Sequence, residues 1–432
     1  MNKKTATFMS STTEQIKERL SIEDVVSSYV KLEKAGKNLK ARCPFHTEKT
    51  ASFFISPERE TYHCFGCNKG GDIFSFVEEI EGLDFSGALK VLAERAGVSL
   101  SNFNQQDRDE KKILYEILEE AVLFFESELS KRGDVREYLV SRGIQEETRQ
   151  SFRIGFARAE WRTLSLHLKE KGYSEKEVIK TGLIIESRGK FYDRFRGRIL
   201  FPIADSSGRI VAFSGRIFEE MKGGTEPSAK YINSPETALY NKSRILYAFN
   251  KAKTAIRTED ACIIVEGQMD VILSHQSGFL HTVAASGTAL TALHLSLIKR
   301  FTKNIILAFD ADEAGVRAMK RSIHMALAAG FGVRIAHLPE GTDPAELIQK
   351  KEEKKLEAHL KEAKHIIEFY LDILAARYPD VRIFKLKVEE EVIPFVGQLE
   401  SSIEQAHFVK LLSARLVVEE EPIWVALKKY SD

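Results

Sequence analysis

Between residues 12 and 30 apolar positions recur at helical spacing: Ile16 and Leu20 follow Thr12-Thr13-Glu14-Gln15, and Val25, Val26, Tyr29 and Val30 follow Ser21 and Asp24. A hydroxyl or acid ahead of such a run opens a helix, so two short helices are expected. From Cys43 to Cys67 the rhythm changes. Aromatics (Phe45, Phe53, Phe54, Tyr62, Phe65) alternate with polar and turn-forming residues, the mark of short strands. After Gly70-Gly71-Asp72 helical spacing returns in Ile73, Phe74, Phe76, Val77 and Ile80.

Residues 99–107 (SLSNFNQQD) are polar and weakly patterned, and are expected to link a small first domain, ending near residue 100, to the rest. Residues 113–171 are expected to be mostly helical and 190–217 strand-like, around Gly197, Pro202 and Gly208. From Cys262 short apolar runs (CIIV, HTVAA, NIILAF, GVRIAHL) alternate with helical stretches at 270–275, 291–300 and 313–329. That alternation predicts a parallel α/β sheet. Beyond Asp343 the chain is charged and helical (KKEEKKLEAHLKEAKHIIEFYLDIL), the pattern of a solvated helix face.

Composition sharpens this picture. The chain has 432 residues, 43% of them apolar, which excludes collagen-like and disordered classes. No apolar run approaches the ~18 residues of a membrane span, and the start lacks a signal-peptide core. A soluble protein of a reducing compartment is expected. The net charge of +1 conceals a cancellation: residues 188–258 hold fourteen Lys or Arg against six Asp or Glu, a surplus of eight, and the remainder sums to −7. These cations are interleaved with aromatics and glycines in YDRFRGR, FSGR, AKYINSPET and NKSRILY, a composition suited to phosphate groups and a nucleic-acid backbone.

Three of the four cysteines crowd together. Cys43-Pro-Phe-His46, seventeen intervening residues and Cys64-Phe-Gly-Cys67 make two C-x2-ligand knuckles, the spacing of a tetrahedral zinc site. Cys43, His46, Cys64 and Cys67 form a closed set, which reads as one structural zinc. His63 competes with His46, but His46 completes a knuckle, whereas adjacent ligands at 63 and 64 would strain the turn. Lys37, Lys40, Arg42, Lys49, Arg59 and Lys69 lie among the aromatics, a composition for single-stranded nucleic acid; for Phe45 and Phe65 core packing is an equal expectation. Cys262 lies in an apolar strand and is read as core.

Glu266 ends the run CIIV, Asp270 follows one helical turn later, and Asp310 and Asp312 follow NIILAF. Ligands of parallel sheets bind beyond the carboxyl ends of the strands, so these acids are expected to meet there. Their repulsion calls for a cation, and oxygen donors suit Mg2+ or Mn2+. Asp343, in Gly341-Thr-Asp-Pro344, can join them. An aspartate ahead of a helix is often its N-cap, but a pair plus Glu266 exceeds what capping needs. Cations between carboxylates serve phosphoryl transfer. Ser286-Gly287-Thr288 adds a turn whose amides are available to phosphate.

These motifs together resemble the bacterial DnaG-type DNA primases: CPFHTEKTASF...YHCFGCNKGGD, YLVSRGI, FYDRFRGRILFPI, SGR, KYINSPET, VEGQMDV, FDADEAG and GTDPAE. The resemblance implies a multidomain α/β protein: an N-terminal zinc ribbon (1–100), a mixed α+β basic subdomain of an RNA polymerase core (108–258), a TOPRIM parallel sheet (259–345) and a C-terminal helical segment (346–432). It implies primer synthesis on single-stranded DNA from ribonucleoside triphosphates, by a cytoplasmic, nucleoid-associated monomer. By motif, Glu266, Asp310, Asp312 and Asp343 are the acids for two or more Mg2+ or Mn2+ ions, Glu266, Asp310 and Asp312 being catalytic and Asp270 a supporting acid. Arg142, Arg216, Lys230, Tyr231 and Lys242 are the implied template and nucleotide contacts.

Two departures stand out. Asp343-Pro344-Ala345-Glu346 replaces the family's Asp-Pro-Asp, leaving the last ligand open between the positions. The resemblance also implies a further helical domain that binds the replicative helicase; with the sequence ending at Asp432 that domain is expected to be absent, either because this is a truncated form or because coupling to a helicase is supplied by another route. Two other readings remain. A TOPRIM nuclease or topoisomerase shares the acids, though a topoisomerase needs a tyrosine nucleophile in a larger architecture. A zinc-containing single-strand-binding adaptor needs no acids at all.

Overall fold

The computed structural model describes residues 12–46, 48, 50–83, 85–98, 105–187, 189–218, 229–285, 287, 289–308, 313–339 and 341–429. The chain forms two compact units, Met1–Ile113 and Leu114–Asp432.

In the first unit the expected helices lie at 12–19 and Ile22–Ser27, and the Ser21 hydroxyl caps the second by accepting the Asp24 amide at 3.0 Å. A five-stranded antiparallel sheet follows in sequence order: Glu33–Ala35, Asn38–Ala41, Phe53–Ser56, Thr61–Cys64 and Gly70–Gly71. It begins ahead of the first cysteine, earlier than the aromatic alternation predicts. Phe53 and Ile55 point inward, and Phe45, Phe53, Tyr62 and Phe76 form one aromatic core with ring centroids 5.2 to 6.1 Å apart. Asp72 accepts the amides of Phe74 and Ser75, starting helix Ile73–Glu81.

Helix Gln105–Ser130 starts inside the stretch expected to be a linker. Its first turn is polar in sequence and the helix continues into the buried Leu114, Ile117 and Leu118; polarity alone does not separate a linker from a helix start. The region expected to be mostly helical also contains a strand, Gly155–Ala157, which packs on one edge of an antiparallel sheet. That sheet runs Tyr231–Asn233, Ile210–Ile217, Arg198–Ala204 and Gly155–Ala157 in spatial order.

The second large sheet places Thr282–Ala284, Cys262–Val265, Asn304–Leu307 and Gly332–Ile335 side by side, all parallel, with the short Lys364–His365 antiparallel at the edge. Strand Cys262–Val265 sits between its two successors: the chain goes from it to Thr282–Ala284 on one side and then crosses back to Asn304–Leu307 on the other, and at such a reversal a crevice opens beyond the carboxyl ends. Its side chains alternate. Cys262 and Ile264 pack with Ile366, Ile367, Leu371 and the other C-terminal helix residues, whereas Ile263 and Val265 pack with Phe156, Ile199 and Phe201 of the antiparallel sheet. No helix among the described residues is long and apolar enough to cross a membrane.

Candidate metal centres and nucleic-acid interface

In the first unit the ligand atoms of Cys43, His46, Cys64 and Cys67 all lie within 4.8 Å of one another. The Cys43 and Cys67 sulfurs are 3.8 Å apart, as are the Cys64 sulfur and His46 Nδ1. Zinc bonds of ~2.3 Å at tetrahedral angles separate two ligands by about 3.8 Å, so the cluster has the dimensions of a zinc site. Backbone amides point at the sulfurs, Phe45 N–H to Cys43 at 3.3 Å and Cys67 N–H to Cys64 at 3.5 Å. Burial pushes the Cys43 and Cys67 thiols up; a bound cation would offset that cost by favouring the thiolates. A Cβ on Gly66 would collide with the His46 ring and sit 2.9 Å from Ser52 Oγ, so the second knuckle needs glycine. His63 lies outside the set, its ring 4.7 Å from that of Phe65.

Phe45 is buried in the aromatic core, but Phe65 is 72% exposed. Phe54 and His63 are paired neighbours on the sheet and both rings touch Phe65, so three aromatic groups form one outward surface beside Lys40, the other neighbour of Phe54.

In the second unit Glu266 directly follows strand Cys262–Val265, and with Asp270, Asp343, Ala308, Gly341 and Thr342 it lines a cavity of about 160 Å³. Asp270 accepts the Gly267 amide at 3.1 Å and the Ala345 amide at 3.2 Å, tying the first acidic loop to the last. Burial pushes its carboxyl up to about 7, reinforced by the charges of Asp343 and Glu266. The three acidic side chains line one cavity, and oxygen donors of this chemistry suit a divalent cation. Asp343 also caps helix Pro344–Gln349, accepting the Glu346 amide at 2.7 Å. Glu346 instead makes an ion pair with Lys350 at 2.8 Å on the helix surface. Asp310 and Asp312 lie outside the described residues, as do Ser286 and Thr288; Ala308, two residues before Asp310, lines the cavity.

Arg216 pairs across the sheet with Tyr231, donates to its hydroxyl at 3.2 Å, and lies 5.7 Å from the rings of both Tyr138 and Tyr231. Lys230 is exposed next to it. Arg142 ends helix Gly133–Ser141, and Gln276 holds the following turn: its amide group donates to Gly143 O and accepts from Gln145 N, both at 2.8 Å. Sequence reasoning missed Gln276; a polar residue at the end of a helix gives no sign of a partner 133 residues away.

The DRFRGR arginines have other work than the cation count implies. Arg194 donates to Gly182 O at 2.7 Å, Arg196 donates to Asp193 O and lies 4.3 Å over the Trp161 ring, and Arg198 donates to Gly215 O at 3.1 Å. Burial holds all three below the usual arginine value. All three are tied to backbone carbonyls of their own lobe, so part of the surplus of eight serves the fold.

A ribbon with a Cys3His cluster, an acidic crevice at the carboxyl end of a parallel sheet and a lobe rich in cations are the parts of a nucleotidyltransferase acting on nucleic acid. Residues 8–108 match the CHC2 zinc finger, 124–253 the N-terminal domain of the DNA primase catalytic core, and 263–348 a Toprim-like domain. The chain belongs to the DNA primase family. The Clostridium acetobutylicum DNA primase is 34% identical over 421 residues, covering 95% of this chain and 68% of that protein. The Deinococcus radiodurans DNA primase is 42% identical over 330 residues, covering 75% and 56%. Among solved structures, the Aquifex aeolicus primase with its zinc-binding and RNA polymerase domains superposes with a TM-score of 0.64 at 30% identity, covering 95% of this chain and 98% of that one. A DnaG primase catalytic domain bound to single-stranded DNA gives 0.63 at 29% identity, covering 73% and 99%.

Proposed function

We propose that this chain synthesises short RNA primers on single-stranded DNA from ribonucleoside triphosphates, in the bacterial cytoplasm. The observation that carries the reading is the convergence of Glu266, Asp270 and Asp343 on one cavity at the carboxyl end of the parallel sheet. Cys43, His46, Cys64 and Cys67 hold a structural zinc. Glu266 and Asp343, with Asp310 and Asp312, hold Mg2+ or Mn2+, which when bound supplies charge stabilisation at the reacting phosphate.

In the reaction the 3′ hydroxyl of one nucleotide attacks the α-phosphate of the next, a new phosphodiester bond forms, and pyrophosphate leaves. Lys230 and Lys242 offer ammonium groups to the triphosphate, while Arg142 and the Arg216–Tyr231 pair orient template and nucleotide. Asp270 holds the Gly267 and Ala345 amides and thereby the spacing of the two acidic loops. Positioning and electrostatics account for most of what phosphoryl transfer asks of a protein, so no covalent nucleophile is needed. On the zinc unit, Phe65 with Phe54 and His63 offers a stacking surface to unpaired bases.

The test is incubation with single-stranded DNA, labelled ribonucleotides and Mg2+ or Mn2+, beside Glu266→Ala. Short RNA from the wild type alone supports primer synthesis. DNA cleavage without RNA would point to the nuclease reading, and DNA binding with no RNA in either sample to the adaptor.

A further inference from the structure

Lys242 stands in a stretch, residues 234–246, that contains neither helix nor strand, so something other than regular pairing has to fix its backbone. Its amide donates to Glu236 Oε1 at 2.8 Å. Its carbonyl is gripped from the parallel sheet's side: His294 Nε2 donates to Lys242 O at 2.9 Å, and the Thr291 hydroxyl donates to Ser243 O at 2.6 Å.

The two donors are themselves locked. Thr291 caps helix Ala292–Ile298, its hydroxyl oxygen accepting the His294 amide at 3.1 Å, and His294 Nδ1 accepts the Thr291 amide at 3.3 Å. With Nδ1 occupied as an acceptor, the ring proton belongs on Nε2, the nitrogen facing Lys242. His294 is fully buried and burial holds its pKa below the usual histidine value, which keeps the ring neutral and the tautomer fixed. Helices in a parallel sheet begin at the edge where their preceding strand ends. Thr291 follows strand Thr282–Ala284, so the clamp stands at the edge that carries Glu266.

We propose that His294, with Thr291, is a positioning residue for nucleotide binding: it grips consecutive carbonyls of the 242–243 turn and so holds the Lys242 ammonium where the incoming triphosphate meets the acidic crevice. This rests on the reading of Lys242 as a phosphate contact. A lysine on a free loop would spend most of its time elsewhere, and displacements of about 1 Å at such contacts can cost up to 10²-fold in rate.

The experiment is a double-mutant cycle on the whole chain, measuring KM for ribonucleotides and kcat in primer synthesis, with thermal unfolding as a check on folding. Lys242→Ala raises KM. His294→Ala raises KM by about tenfold with kcat changed far less, His294→Gln, which keeps a donor near Nε2, recovers most of it, and His294→Ala adds little in the Lys242→Ala background. Thr291→Val, which removes the second grip together with the cap of helix Ala292–Ile298, shifts KM the same way and serves if His294→Ala does not fold. Full additivity of the His294 and Lys242 effects, or an unchanged KM in folded His294→Ala, overturns the clamp. A Lys242→Ala variant with wild-type KM removes the phosphate role of Lys242, and the proposal with it.

Discussion

His46 Nε2 lies 3.4 Å from Glu48 Oε2, while the opposite ring nitrogen, Nδ1, faces the Cys64 sulfur at 3.8 Å. The same carboxylate accepts the Cys43 amide at 2.6 Å and the Ser52 amide at 3.1 Å. One acid therefore orients an imidazole and fixes the first knuckle. Carboxylates behind metal-bound histidines typically contribute about 10- to 100-fold in metal affinity. Glu48→Gln is expected to weaken zinc binding by that order in chelator competition; unchanged affinity would show that Glu48 serves the turn alone.

Phe45 and Phe65 sit in the two knuckles with opposite environments. Phe45→Ala empties the aromatic core and is expected to destabilise the zinc unit by about 3 to 5 kcal/mol. Phe65→Ala should leave melting unchanged and weaken single-strand binding by about 1 to 3 kcal/mol, the size of one stacked base. Equal loss of stability in both variants would contradict the assignment.

Salt titration separates bracing cations from phosphate-binding ones. Lys230→Ala is expected to reduce the slope of log K for single-stranded DNA against log salt by about 0.7, the share of one neutralised phosphate. Arg198→Ala should leave that slope unchanged and cost about 2 to 4 kcal/mol of stability, because Arg198 is buried and donates to Gly215 O.

Asp270 makes the acidic crevice pH-sensitive when no cation is bound. Its carboxyl ionises at about 7 in the folded protein because of burial and the neighbouring charges, against ~4 in an unfolded chain. The unfolded chain thus loses this proton first as pH rises. The associated stability is complete below pH ~4 and is lost as pH climbs through 7. In EDTA, the melting temperature of the wild type is expected to fall more steeply from pH 5 to 8 than that of Asp270→Asn. Parallel curves would place Asp270 outside the crowded acids.

The zinc knuckles and the acidic crevice were legible because each depends on local spacing: Cys43-x2-His46 and Cys64-x2-Cys67 within single turns, Glu266 one residue past a buried strand. Asp343 carried a second signal that was available, since an aspartate before Pro344 is a common helix start. What stayed hidden depends on distant partners. Nothing in DRFRGR distinguishes a guanidinium bound to a backbone carbonyl from one left for phosphate. His294 and Gln276 occupy helix positions that look polar and ordinary, and their partners come from loops far away in the chain. Phe45 and Phe65 occupy equivalent places in two similar knuckles, and only the packed sheet decides which faces inward.

Strand Cys262–Val265 lends alternate side chains to two different cores, one shared with the C-terminal helices and one with the antiparallel lobe. The lobes are therefore poor candidates for exchange between homologues as separate cassettes. A chimaera that replaces either would have to preserve its half of this strand, and a frame error of one residue would turn both halves inside out.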